Sequence, residues 1–417
     1  MDGTGKGVRV VAESVRPRAL AALAAASLTC TALSLAPGAP AAAARVACGP
    51  AVANPLVEAP WPLARLRPDL AWPLSTGQGV RVAVVDSGVS ADHATLRGKV
   101  RPGRDFLSPD GEGDCDENGH GTLIAGIIAG REHTSAGFRF HGVAPDATVV
   151  PVRVLRDQRR SFEPDLSDRI AEAIRWAVDV GDAGVVNLSL TTPHTDELEA
   201  AVRHALDRGV VVVAAAGNQN ETDDSVQQGR SGVFPAGYDG VIAVAGVDQD
   251  GAHVRSSIAG AHVDVAAPGA RIAGPAPAGG GYLFTEEGGT SFAAGYVSGL
   301  AALIRAREPA LRPDGVARRI TETADHPAGR WNEEVGYGVV DPARAVGALR
   351  GDRGVPAVRA RGVPPPATRP DPLADVTRVA VPLAVAGAAA ALLVLAGVPV
   401  VRRGRRRGWR AGDRVDD

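Results

Sequence analysis

The stretch "GVRVAVVDSGV", residues 79–89, is an apolar run rich in valine that ends in aspartate and glycine. Such a run is typical of a strand that is buried on both faces of a parallel sheet. Further runs of this kind predict strands at 147–155, 183–190, 210–218, 240–248 and 262–269. Helical patterns alternate with them, at 121–130, 167–181, 195–209 and 290–307. This alternation predicts an α/β fold with a mostly parallel central sheet.

Three polar residues occupy positions where such a sheet is expected to carry a site. Asp86 ends the first strand, His120 opens the helix in "NGHGTLIAGIIAG", and Ser291 opens the helix in "GGTSFAAG". Ligands bind beyond the carboxyl ends of the strands in an open parallel sheet, so we expect these side chains to lie close together. Ser291 alone fits two roles, helix N-cap or nucleophile, and the segment 286–300 does not decide between them.

The three residues follow one another in the order Asp, His, Ser, which is the order of the subtilisin type of serine protease. The segments "VAVVDSGV", "NGHGTLIAGIIAG" and "GGTSFAAGYVSG" resemble the three active-site motifs of the subtilase family. The strand "VVVVAAAGN", which ends in Asn218, resembles the fourth motif, that of the oxyanion asparagine. The similarity extends over residues 72–348 and implies a three-layer subtilisin-like fold.

The resemblance implies a role for each of these residues. Ser291 Oγ would attack the scissile carbonyl, and His120 would accept its proton and return it to the leaving amine. Asp86 would orient the imidazole and stabilise the imidazolium. The Asn218 side-chain amide and the Ser291 backbone N–H would bind the oxyanion, where losing one donor costs about 3–4 kcal/mol in the barrier. Ser291 is therefore expected to serve as nucleophile and helix cap together.

Two positions depart from the usual pattern of the family. Gly295 stands where most subtilases have proline, and we expect it to loosen the first helical turn by up to about 1 kcal/mol. The segment "NLSL", 187–190, resembles the strand that pairs with an extended substrate, so Ser189, Leu190 and Thr191 are expected to bind the substrate. Thr191 replaces a frequent glycine and predicts a narrower pocket for the residue before the scissile bond.

No residue pattern indicates a metal, cofactor or nucleic-acid site. A calcium site is one interpretation of Asp114, Asp116 and Glu117. We interpret them instead as a solvated acidic loop. His93 is interpreted as structural. The glycines at 279–281 lack the strand, lysine and helix that a phosphate-binding loop requires. The net charge of −2 provides no basic field for nucleic acid. Six further histidines have no metal-ligand spacing: His133, His141, His194, His204, His253 and His262.

The two ends of the chain differ in composition from the predicted protease domain. Residues 1–44 have the basic, apolar and small-residue zones of a secretory signal, and 45–71 form a short arm. A Pro- and Arg-rich stalk, 349–378, precedes an uncharged segment, 379–401, which is long enough to span a membrane. A buried core helix is the alternative for that segment. The basic tail, 402–417, favours a cytoplasmic C-terminus.

Cysteine use is consistent with an extracytoplasmic protein. Signal cleavage would remove Cys30 and leave Cys48 and Cys115, which are expected to pair in an oxidising compartment. That bridge would contribute about 4 kcal/mol on the chain-entropy estimate. Two free thiols, and a lipid-modified Cys30, are the alternatives.

Five features together resemble those of the mycosins, which are membrane-anchored subtilases associated with type VII secretion in actinobacteria. These features are the short arm, the cysteine pair, the stalk, the apolar segment and the basic tail. This resemblance implies limited proteolysis of exported polypeptides at a secretion complex. The protease domain would lie outside the cytoplasm, on a single-pass membrane anchor. A structural component of the complex with little turnover is the second hypothesis, and a degradative surface subtilase is the third.

Overall fold

The computed structural model describes residues 48–156, 163, 165–219, 232–348, 374–406 and 408. The chain divides into two compact units, Met1–Ala348 and Leu349–Asp417. The predicted signal segment 1–44, including Cys30, lies outside the described residues, as do most of the predicted stalk and tail.

The first unit is built on a parallel sheet. In chain order its described strands are β1 (Arg81–Asp86), β2 (Arg104–Asp105), β3 (His133–Ser135), β4 (Phe138–Phe140), β5 (Thr148–Arg153), β6 (Val185–Leu188), β7 (Val211–Ala215), β8 (Ile242–Val247), β9 (Val265–Pro268), β10 (Ile272–Pro275) and β11 (Tyr282–Thr285). Seven of them form the parallel sheet, in the order β2-β5-β1-β6-β7-β8-β9. The antiparallel pairs β3 with β4 and β10 with β11 lie outside it.

Helices cover both faces of the sheet. Along β1, Val82 and Val84 join one apolar core while Ala83 and Val85 join the other, as the period-two alternation of a strand requires. The described helices of the first unit are α1 (Trp61–Leu66), α2 (His120–Ala129), α3 (Leu166–Asp179), α4 (Asp196–Asp207), α5 (Thr290–Arg307), α6 (Pro313–Thr323) and α7 (Pro342–Gly347), and the second unit contains α8 (Ala374–Arg406). The helices α2 and α5 pack in the first core, and α3 and α4 in the second. The predicted three-layer α/β fold with a parallel sheet is confirmed.

The helix α5 is buried from Thr290 to Ile304. Its residues are small or apolar on all sides, which is the pattern of a helix that lies inside a protein. Gly295 is the sixth residue of α5, so it lies in the second turn and not in the first turn that the prediction assumed. The helix continues through this position without a break.

The arm before the sheet is packed on the body of the protein. The Val52 N–H donates to the Ala278 carbonyl at 3.0 Å, and the Tyr282 N–H donates to the Asn54 carbonyl at 2.8 Å. Leu56 is buried in a small apolar cluster. The arm therefore extends the edge beside β11 by main-chain hydrogen bonds.

The second unit contains the helix α8, which includes the predicted membrane segment 379–401. Among the residues that the structure describes, no helix reaches both the length and the apolar content of a membrane span. Membrane insertion of this segment stays a prediction.

Candidate active site

Asp86 and His120 form a hydrogen-bonded pair at the carboxyl end of β1. His120 is the first residue of α2, and its Nδ1 lies 2.8 Å from Oδ1 and 3.0 Å from Oδ2 of Asp86. The Asp86 carboxylate is buried and also accepts the Ser87 N–H at 2.7 Å. With Asp86 ionised, Nδ1 carries the shared proton, so Nε2 is the basic nitrogen of the ring.

The glycine after His120 allows α2 to begin this close to β1. A Cβ atom at Gly121 would lie 2.1 Å from the Gly88 carbonyl oxygen and 3.2 Å from the Asp86 Cβ. Any side chain at this position would move the helix away from the strand and separate His120 from its carboxylate partner.

Ser291 is the second residue of α5. The ring of Phe292, the next residue, lies 5.5 Å from the His120 ring, measured between centroids. The N-cap of α5 is Gly289, without a side-chain cap, so the prediction that Ser291 also caps the helix is wrong. Its hydroxyl instead donates to the Ser189 carbonyl at 3.1 Å. The backbone N–H of Ser291 belongs to the first turn, which has no intrahelical acceptor.

Asn218 follows β7 and is held by the residue before Ser291. The Thr290 N–H and hydroxyl donate to Asn218 Oδ1 at 3.0 and 3.2 Å. These donors fix which end of the amide is oxygen, and Nδ2, which carries the donor hydrogens, occupies the other end. A Cβ atom at Gly289 would lie 3.0 Å from Nδ2, so the glycine leaves room for this amide.

The side chain of Ser189 points into the protein and not toward a substrate. Its hydroxyl donates to the Ser291 carbonyl at 2.8 Å and accepts from the Asn187 amide at 2.9 Å. Ser298 donates to Asn187 Oδ1 at 2.8 Å. Only the backbone of Ser189 can therefore meet a substrate. Substrate binding by Ser189, Leu190 and Thr191 stays a prediction. Asn187 and Ser298 were missed, although each is a polar residue within an apolar run.

Branched side chains crowd the turn that leads to Asn218. A Cβ atom at Gly217 would lie 2.9 Å from Val233 Cγ1, 3.1 Å from Ile258 Cδ1 and 3.5 Å from Thr191 Cγ2. Leu190, Thr191 and Val233 are buried. Little space is left between the segment 189–191 and the end of β7.

The acidic loop before His120 differs from its prediction. Asp116 is fully buried, so the interpretation of a solvated loop is wrong for this residue, whereas Asp114 and Glu117 are exposed. Burial raises the pKa of Asp116, and hydrogen bonds from Thr122, Gly119 and Ser87 oppose that rise.

Cys115 in the same loop forms a disulfide with Cys48 in the arm, and their Cα atoms lie 5.1 Å apart. The potential ligand atoms of Cys48, Cys115 and Glu117 are within 4.8 Å of one another. Because the two sulfur atoms are bonded to each other, neither is a thiolate that could bind a metal.

His93 lies in a buried aromatic cluster. Its ring centroid is 4.9 Å from that of Tyr282 and 5.9 Å from that of His133, and its Nδ1 contacts Thr95 Oγ1 at 2.9 Å. Burial, with a contribution from His133, lowers the pKa of His93 to about 4. These contacts are those of a neutral core histidine.

This chain is similar to known proteins over most of its length. A family model described as the subtilase family matches residues 77–338. Mycosin-4 from Mycobacterium tuberculosis (strain ATCC 25618 / H37Rv) is 38% identical over 385 residues, which cover 82% of this chain and 82% of the relative. Mycosin-1 from the same organism is 38% identical over 365 residues, 75% of this chain and 79% of the relative.

Solved structures are similar over most of the chain. A structure of the serine protease MycP1, an essential component of the type VII (ESX-1) secretion system, matches with a TM-score of 0.61 and 35% identity, over 72% of this chain and 93% of that one. The periplasmic assembly from the ESX-5 inner membrane complex contains a chain that matches with a TM-score of 0.64 and 30% identity, over 78% of this chain and 93% of that one.

Proposed function

This chain belongs to the subtilase family of serine endopeptidases and, within it, to the mycosins, and from that premise we propose that Ser291 is its nucleophile. His120 is the general base and Asp86 orients it. Asn218 and the Ser291 backbone N–H bind the oxyanion. The observation that carries this proposal is the two-oxygen contact of Asp86 with His120 Nδ1, made beside the first turn of α5.

The geometry supports one chemical sequence. Rotation of Ser291 Oγ from the Ser189 carbonyl toward His120 would allow its proton to pass to Nε2 as oxygen attacks the peptide carbonyl. The imidazolium is stabilised by Asp86, and the negative oxygen by donors fixed in advance through Thr290 and the α5 terminus. The protonated imidazole then gives its proton to the leaving amine, and water repeats the sequence on the acyl-enzyme.

Fluorophosphonate labelling of the full-length protein in detergent tests this assignment. The probe reacts with a serine whose base and oxyanion donors are in place, so wild type should label and Ser291→Ala should not. Ser108→Ala, which changes an exposed serine, is the matched control and should label as wild type does. Equal labelling or equal peptide cleavage by Ser291→Ala and wild type would refute the role of Ser291.

We propose that the substrate is a polypeptide that lies extended along the backbone of 189–191. The oxyanion donors fix the scissile carbonyl, so the side chain of the preceding residue must enter the space between this segment and the end of β7. Thr191 and Val233 crowd that space. A small residue, such as alanine or serine, is therefore the preferred one before the scissile bond.

We infer from the relatives that the chain acts in type VII secretion, by limited proteolysis of secreted polypeptides or of the complex itself. A structural role is the second candidate, because two matching chains belong to ESX-5 inner membrane complexes. Complementation of a deletion strain separates the two. Failure of secretion with Ser291→Ala supports proteolysis, whereas full secretion by that variant supports the structural role. Normal secretion in the deletion strain itself would favour the degradative alternative.

We propose that the segment 379–401 anchors the protein, with the tail in the cytoplasm and the protease domain outside it. The segment contains no charged residue and is followed at once by arginines. Alkaline extraction of membranes provides the test. The full chain should stay in the membrane pellet, and a chain ending at residue 373 should be released. Release of the full chain by alkali would contradict the anchor.

A further inference from the structure

The loop 113–119 is anchored at three consecutive residues just before His120. Cys115 is bonded to Cys48 in the arm. Asp116 is buried and bonded to the first turn of α2. Glu117 lies 3.3 Å from Arg153 at the end of β5. Each of these three contacts is made with a different part of the chain, so the direction of the backbone is fixed where it reaches His120.

The Asp116 carboxylate accepts donors from both sides of His120. Its Oδ1 accepts the Gly119 N–H at 2.7 Å, and its Oδ2 accepts the Thr122 N–H at 2.8 Å and the Thr122 hydroxyl at 2.6 Å. The Asn118 N–H also donates to Oδ1, at 3.2 Å. Backbone groups that a helix start leaves without partners are satisfied by one carboxylate. The peptide units around His120 are thereby held in place.

A second contact joins Asp116 to the catalytic aspartate. The Ser87 hydroxyl lies 2.8 Å from Asp116 Oδ1 and 3.1 Å from Asp86 Oδ1, and it accepts the Gly121 N–H at 3.1 Å. A hydroxyl has a single proton to donate, and Asp116 is the nearer acceptor. When the Ser87 hydroxyl donates its hydrogen bond to Asp116, the lone pairs of Asp86 Oδ1 stay available to His120 and to the Ser87 N–H.

We propose that Asp116 is a positioning residue for the Asp86–His120 pair. It fixes the first turn of α2 directly, and through Ser87 it fixes the hydrogen bonding of Asp86. This inference rests on the catalytic roles proposed above. A fully buried carboxylate is costly unless donors satisfy it, and here the donors come from the residues that surround the catalytic histidine.

The test compares full-length wild type, Asp116→Asn and Asp114→Asn in detergent, with a chromogenic peptide across a range of pH. Asp116→Asn keeps the size of the side chain, but its amide N–H groups would face the N–H and O–H donors that the carboxylate accepts. We expect kcat to fall about 10- to 100-fold with KM within about twofold, because misplacing a base by a fraction of an ångström has effects of this order. Asp114 lies two residues earlier and is exposed, so Asp114→Asn should match wild type.

The pH profile separates positioning from a general structural effect. Asp116→Asn removes a nearby carboxylate and weakens the Asp86–His120 contact, and both changes make the imidazolium less stable. The acid limb of kcat should therefore move to lower pH. A variant that only lowers the amount of folded protein would keep the position of that limb. An unchanged limb, or wild-type kcat, would overturn the proposal.

A second pair of variants covers the case in which Asp116→Asn does not fold. Thr122→Val removes the hydroxyl that donates to Asp116 Oδ2, and Thr122→Ser keeps it. We expect kcat to fall about fivefold in Thr122→Val, with the same shift of the acid limb, and to stay at the wild-type value in Thr122→Ser. A wild-type profile for Thr122→Val would count against Asp116. If wild type itself has no activity that Ser291→Ala removes, the catalytic proposal fails, and this one fails with it.

Discussion

Thr191 is the residue at which substrate preference can be tested with a single exchange. Its Cγ2 faces Gly217, the residue before Asn218, in the space proposed for the side chain before the scissile bond. Thr191→Gly should raise kcat/KM for peptides with phenylalanine there, relative to alanine, by about 10- to 100-fold, since a few methylene groups in a pocket are worth this much. Paired chromogenic peptides that differ at this one residue give the ratio.

Thr191→Val is the matched control for that exchange. Valine keeps both branches of the side chain and replaces the hydroxyl by a methyl group of similar size, so the ratio of the two peptides should stay near the wild-type value. A ratio that changes equally in Thr191→Val and Thr191→Gly would show that crowding at this position does not set the preference.

The contact between predicted site residues was predictable where the pattern is local in sequence, and contacts that depend on burial were not. Asp86 and His120 follow from a strand end and a helix start, and the structure brings them together. The burial of Asp116 could not be predicted from the sequence. The groups that donate to its carboxylate lie in α2 and after β1, and only the fold brings them near it. The direction of the Ser189 side chain was hidden for the same reason, since its partner lies far along the chain in α5.

At the scale of elements, two glycines one turn apart on α5 predict losses of stability of different size on exchange for alanine. A Cβ atom at Gly299 would lie 2.6 Å from Val143 Cβ and 3.3 Å from the Ile128 carbonyl oxygen. At Gly295 the nearest atom would be Ile127 Cγ2, at 3.3 Å, which is a looser contact than the one at Gly299. Gly299→Ala should lower the free energy of unfolding by about 1–3 kcal/mol through overpacking. Gly295→Ala should change it by less than about 1 kcal/mol, because better helix propensity offsets the contact.

Urea unfolding of both variants, followed by circular dichroism, measures this difference. Each variant serves as the control for the other, because both add one methyl group to the same buried helix. Equal midpoints, or a lower midpoint for Gly295→Ala, would contradict the packing of α5 against α2 and the segment around Val143.

Elements with strong periodicity were predicted closely, and short elements at the rim were not. The strand predicted at 79–89 is β1 (Arg81–Asp86), and the helix predicted at 290–307 is α5 (Thr290–Arg307). The hairpins β3–β4 and β10–β11 were missed, because strands of three or four residues give too few alternations to detect. The helix α6 (Pro313–Thr323) was also missed, although it has proline in its first turn.

At the scale of the whole molecule, buried neutral histidines predict a loss of stability in acid. Burial lowers the pKa of His93 to about 4 and also lowers the pKa values of His141 and His262. In the unfolded chain these groups titrate near pH 6.5. Between about pH 6.5 and 4 the unfolded state therefore binds more protons than the folded state, and the free energy of unfolding falls as pH falls.

His93 should account for a large part of this loss. A lowering from 6.5 to about 4 corresponds to about 3 kcal/mol between neutral pH and pH 4. Urea midpoints of the full-length protein, measured between pH 7.5 and 4, should therefore fall steeply below pH 6.5. His93→Gln cannot bind a proton in this range, so its midpoint should depend less on pH even if it is lower at neutral pH. His194→Gln replaces an exposed histidine and should keep the wild-type slope. Parallel slopes for His93→Gln and wild type would show that His93 is not the group that resists protonation in the folded protein, and would assign the loss to the other buried histidines.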